Sequence, residues 1–119
     1  MMATANVGTL LGGVKERLGA IAVAFLSRDG SVLYADLPGG AFAETFAVLC
    51  ATTFAAAATA QRELERAPPE RAVLEGGDSV TVLVGGGSQT LLVAVVDRPA
   101  DVPRIFEELG KLADLLTRR

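Results

Sequence analysis

Along the first eighteen residues the apolar positions Val7, Leu10, Leu11, Val14 and Leu18 recur at steps of three and four, with Lys15, Glu16 and Arg17 between them. That spacing predicts a short amphipathic helix from Asn6 to Leu18, loosened by Gly8, Gly12 and Gly13. A nearly continuous apolar run, Ala20 to Leu26, follows and gives way to Arg28-Asp29-Gly30 before Val32-Leu33-Tyr34-Ala35. An Asp-Gly pair between two strand-like runs signals a tight hairpin, because Gly30 can take the positive φ such a turn demands. The first strand is expected to be central and the second peripheral.

Pro38-Gly39-Gly40 interrupts the chain, and residues 41–67 contain neither glycine nor proline before Pro68-Pro69. One long helix is predicted there. Three strand-like runs follow, Arg71 to Glu75, Ser79 to Val84 and Thr90 to Val96, with glycine-rich separators short enough for consecutive antiparallel hairpins. Asp101 stands where a helix N-cap belongs and Pro103 in the first turn. Ile105, Phe106, Leu109, Leu112, Ala113, Leu115 and Leu116 then form the apolar stripe of a last helix, closed by Arg118 and Arg119. The expected order is α-β-β-α-β-β-β-α, an α+β fold with a five-stranded antiparallel sheet flanked by helices.

The long helix departs from ordinary amphipathic patterning. At about 100° per residue, Phe42, Phe46, Leu49, Cys50, Thr53, Ala57, Ala60 and Leu64 fall on one side, expected to cover the sheet. Ala47, Val48, Ala51, Ala55, Ala58 and Thr59 form a second, small-residue face, bordered by Phe54 and marked at its ends by Glu44 and Arg62. A helix apolar all round must be covered on both sides. Small side chains allow close helix approach and two-fold pairing is the commonest homo-oligomer, so this second face is expected to meet another copy of itself. Covering by the N-terminal helix is the alternative. The strand from Arg71 through Val73 to Glu75 would then lie near the same axis, where pairing with its twin removes an exposed edge. The expected dimer interface is therefore Ala47, Val48, Ala51, Phe54, Ala55, Ala58, Thr59 and Arg62 with Arg71, Val73 and Glu75.

Composition narrows the remaining classes. A chain of 119 residues fits one domain spanning 1–119. No apolar run reaches the roughly 18–20 residues needed to cross a bilayer as a helix, and no basic segment precedes an apolar one at the N-terminus. A cytoplasmic protein without membrane insertion is expected. Net charge is −3, without a basic cluster beyond the terminal arginine pair, which argues against nucleic-acid binding. Histidine is absent, removing the commonest general base and metal ligand. No cofactor, metal or catalytic residue is expected.

Several weaker motifs resolve the same way. Gly8 and Gly13 stand at P-loop spacing, but the next residue is Val14 and Glu16 sits where a magnesium-binding hydroxyl belongs. Gly85 to Ser88 lies between strands, where glycines form turns. The single cysteine, Cys50, is expected to be a buried thiol. Nine arginines against two lysines, with abundant alanine, point to a GC-rich prokaryotic source.

Gly19-Ala20-Ile21-Ala22-Val23 leading to Ser27-Arg28-Asp29-Gly30-Ser31-Val32-Leu33, the alanine-rich Phe54 to Ala60, Val73-Leu74-Glu75-Gly76, and Leu91 to Val95 before an amphipathic helix occur here in the order found in the Roadblock/LC7 family. From about Val7 to Leu116 the chain resembles that family. The resemblance implies a profilin-like, longin-like architecture and a homodimer with paired central helices and a continuous sheet. It implies a platform for Ras-like small GTPases, as in MglB-type prokaryotic relatives. A structural adaptor of the dynein-light-chain type, with no GTPase partner, is the alternative.

Overall fold

The computed structural model describes the backbone of residues 2–117 and the side chains of residues 7–117. Its elements are α1 (Met2–Leu18), β1 (Ala20–Ser27), β2 (Val32–Asp36), α2 (Ala43–Glu63), β3 (Arg71–Glu75), β4 (Ser79–Gly86), β5 (Thr90–Asp97) and α3 (Val102–Thr117). This is the element order the pattern predicts. Arg118 and Arg119, expected at the end of the last helix, lie outside the described residues.

The five strands form one antiparallel sheet in the order β2-β1-β5-β4-β3. The meander β3-β4-β5 runs as expected, and β5 continues onto β1, with Val23 opposite Ala94 and Phe25 opposite Leu92. The strand β1 is thus internal and β2 an edge. Turn chemistry explains the first hairpin. Gly30 has φ 96, its N–H donates to the Ser27 carbonyl at 3.0 Å, and Asp29 Oδ1 accepts the Ser31 N–H at 3.1 Å. In the last hairpin β4 runs on through Gly85 and Gly86, leaving a loop of only Gly87, Ser88 and Gln89.

Strand alternation divides the core in two. On one face Val23, Val80, Val82, Leu92 and Ala94 meet Val7, Leu11 and Val14 of α1 and Ile105, Leu109 and Leu112 of α3. Lys15 Nζ lies 3.1 Å from Asp36 and Arg17 Nη2 lies 3.0 Å from Glu108, tying α1 to β2 and to α3. Asp101 caps α3, its Oδ1 accepting the Arg104 N–H at 3.2 Å. On the other face Ala24, Leu26, Leu83, Leu91 and Val93 are covered by α2 alone.

Three features of α2 differ from expectation. It ends at Glu63, several residues before Ala67, where the Glu65 N–H turns back to the Arg62 carbonyl at 2.9 Å and Glu65 adopts φ 56. It is also long and apolar enough to cross a membrane by length and composition, a property hidden by the spread of its apolarity over alanine and threonine. Its rotation about its own axis differs as well. The sheet receives Ala47, Cys50, Ala51 and Phe54, whereas Leu49, expected on the sheet, is 60% exposed, and Phe42, Thr53, Ala60 and Leu64 point outward. The helix is turned by roughly a quarter of a revolution. With alanine on every side, the pattern lacked a polar stripe to fix its phase, and the bulk of Phe54 decided it. A Phe ring fills the space over Leu26, Leu83 and Leu91 that Thr53 or Ala57 would leave empty.

Candidate interaction surface

Of the residues expected at the dimer interface, Ala47, Ala51 and Phe54 are therefore directed at their own sheet and buried, which corrects their assignment to an outward face. Val48, Ala55, Thr59 and Arg62 are exposed along one flank of α2, with Ala58 half-buried beside them. The larger exposed apolar side chains lie elsewhere along the helix. Phe42, Leu49 and Leu64 are 78%, 60% and 69% exposed; Leu49 lies on the opposite flank of the helix by its spacing, and Phe42 and Leu64 stand at its N-cap and C-cap. A helix of this kind exposes much more apolar surface than a solvated face requires.

The strand β3 adds an open edge. It pairs with β4 alone, in unbroken register from Arg71 opposite Val84 to Glu75 opposite Val80. Half of its N–H and C=O groups consequently point away from the sheet. The other edge, β2, carries a bulge between Phe25 and Leu26 of its partner strand, a feature that disfavours further pairing. The Arg71 guanidinium stacks 4.2 Å from the Phe106 ring of α3, and Glu75 lies 3.8 Å from Arg98. Both side chains, with Val73, belong to the α1/α3 side of the sheet. The β3 side chains on the α2 side are Ala72 and Leu74, and Leu74 is 44% exposed. Pattern reading missed Leu74, although strand alternation from Val73 identifies it.

A groove of about 240 Å³ lies between the C-terminal half of α2 and the end of the sheet. Its apolar lining includes Phe54, Ala55, Ala58 and Leu91, and its charged residues are Arg28 and Arg62. Arg28 leaves the first hairpin and crosses to the last one, donating from Nε to the Thr90 carbonyl at 3.2 Å and from Nη2 to the Gly87 carbonyl at 2.6 Å. Its guanidinium carbon sits 5.1 Å from the Phe54 ring centroid. Glycine at position 85 makes this route possible, since a Cβ there would stand 2.5 Å from Arg28 Nη2. Burial lowers the Arg28 guanidinium below its usual pKa. In the sequence Arg28 reads only as part of a turn.

Elsewhere the chemistry is sparse. No group of three or more metal-ligating side chains occurs among the described residues. Cys50 is buried, and burial pushes its thiol up to about 11. Gly8 and Gly13 lie inside α1, away from any strand-to-helix loop.

A Roadblock/LC7 domain model matches residues 6–96. No curated protein matches the chain by sequence. Among solved structures, an MglB with a tetrameric arrangement is 23% identical with a TM-score of 0.89, covering 99% of this chain and 90% of that one. MglB from Myxococcus xanthus is 16% identical with a TM-score of 0.89, covering 97% and 87%. A Roadblock/LC7 domain from Streptomyces avermitilis is 21% identical with a TM-score of 0.83, covering 90% and 91%. These likenesses share the layout derived above, a five-stranded antiparallel sheet between two helices and one, and with the match over residues 6–96 they place the chain in the Roadblock/LC7 domain family.

Proposed function

We propose that this chain is a non-catalytic, cytoplasmic homodimeric regulator or scaffold that binds a Ras-like small GTPase. Membership of the Roadblock/LC7 family supports a regulatory or adaptor role exercised through protein–protein contacts. The observation that supports the finer reading is the outer surface of α2, apolar over both flanks, together with the open edge of β3. Pairing two copies through these elements extends the sheet and covers Leu49, Leu64 and Leu74, satisfying two exposed features with one contact. The surface left over is a broad, rigid platform. A platform regulates by holding a partner's conformation and has no need of a nucleophile or base of its own.

Binding is tested by immobilising the protein and offering it cell lysate of the source organism with GDP or a non-hydrolysable GTP analogue. Recovery of a small GTPase preferentially in one nucleotide state supports the reading. Recovery of none in either state removes the GTPase from it and leaves an adaptor.

A further inference from the structure

The groove beside Arg28 is chemically unlike the rest of the surface. The chain holds 14 acidic residues against 11 basic ones, yet the groove has two guanidinium groups and no carboxylate in its lining. Among the described residues no carboxylate lies within 4.0 Å of Arg28 or Arg62. Arg28 is clamped by two carbonyl oxygens and Phe54, and those bonds use Nε and Nη2, so Nη1 remains to meet a ligand. Arg62 is steadied by Thr59, its Nη2 donating to Oγ1 at 3.2 Å. A partly desolvated cation without a counter-charge is unfavourable, and a carboxylate brought to it forms charge-assisted hydrogen bonds.

We infer that this groove receives a carboxylate-tipped side chain, glutamate or aspartate, carried by an apolar segment of a protein partner. The lining selects that chemistry. Over a floor of buried Phe54 and Leu91, Ala55 and Ala58 offer apolar surface that a free anion would only desolvate against, whereas the aliphatic stem and neighbours of a segment-borne acid bury favourably on it. A volume of about 240 Å³ suits a single side chain and falls below the range of ordinary small-molecule pockets. Ala55, Ala58, Thr59 and Arg62 also belong to the expected dimer interface, so the inference takes this groove to stay open beside a pairing that covers Leu49, Leu64 and Leu74, and it does not depend on the partner being a GTPase.

The test is NMR on the ¹⁵N-labelled full chain, following the Nε–Hε resonances of Arg28 and Arg62. The probes are acetyl-Leu-Glu-Leu-amide, its Gln counterpart and inorganic phosphate. The glutamate peptide is expected to shift both resonances saturably in the millimolar range, about tenfold more tightly than the glutamine peptide. Arg62→Gln, at an exposed position, weakens that binding about fivefold without changing the fold's melting temperature. Equal binding of both peptides, equally tight binding of phosphate, or no shift up to about 50 mM peptide overturns the inference. Glu44→Gln provides a further control. Glu44 lies some 27 Å along α2 from Arg62 in the same chain, so a change in the Arg62 resonance of the peptide-free variant would mean that a second copy fills the groove, overturning the inference in a different way.

Discussion

Replacing Phe54 with alanine probes the most vulnerable joint of the fold. On one face of the sheet the buried core is covered by α2, and the stripe α2 presents to it is Ala47, Cys50, Ala51 and Phe54. Three of these are small, so the aromatic ring supplies most of the buried area. At 2% exposure its truncation removes the transfer free energy of the ring and leaves a cavity over Leu26, Leu83 and Leu91, about 3–5 kcal/mol in total. Loss of the Arg28 stack adds to that cost. For a domain stabilised by about 5–15 kcal/mol this consumes a large part of the margin. The melting temperature should fall by about 10–25 °C. Thermal and urea unfolding followed by circular dichroism, each at two protein concentrations to separate folding from association, measure the effect. Phe42→Ala, at 78% exposure, is the matched control and should change folding stability by less than about 0.5 kcal/mol. A Phe54→Ala loss below about 1 kcal/mol, or one no larger than that of Phe42→Ala, would refute the placement of α2.

Three other perturbations follow from local geometry. Gly30→Ala strains a backbone at φ 96 and sets a Cβ 3.2 Å from the Val48 Cα, so it should cost about 1–3 kcal/mol in urea unfolding; an unchanged midpoint would contradict the docking of this hairpin on α2. Cys50, with its thiol pushed up to about 11 by burial, should react with a disulfide reagent at pH 8 roughly 100-fold more slowly than in the unfolded chain. Because the folded state holds that proton more tightly, its contribution to stability is full below the unfolded thiol's range and is lost as pH rises toward 11, a slope that Cys50→Ala should flatten. The Asp29 carboxyl, lowered first by the Ser27 hydroxyl and then by Ser31, should titrate below the usual aspartate range by NMR and move back up in Ser27→Ala. Its stabilising effect is present above the unfolded aspartate's range and fades as pH falls through the lowered value.

Most of the architecture was legible because each element carried its own local mark. Asp29-Gly30, the glycine separators and Asp101 acted where they stand, and strand lengths followed from them. The phase of α2 was not legible, since a helix with alanine on every side has no preferred face until Phe54 meets a particular hollow in the sheet. Arg28 escaped notice for a related reason. Its role depends on Gly87 and Thr90, some sixty residues away, and on the missing Cβ at Gly85. The interface residues split along the same line, with Val48, Ala55, Thr59 and Arg62 on the surface and Ala47, Ala51 and Phe54 beneath it.

The central claim, that the outer face of α2 with the β3 edge joins two copies, is tested most directly by light scattering of the wild type and of Leu49→Arg. Leu49 is 60% exposed, so the substitution leaves the protomer folded and places a charge in the proposed contact. A wild-type mass twice that of the 12.3 kDa chain, reduced to the single-chain value in a folded Leu49→Arg, is the predicted result, and a monomeric wild type would contradict the claim.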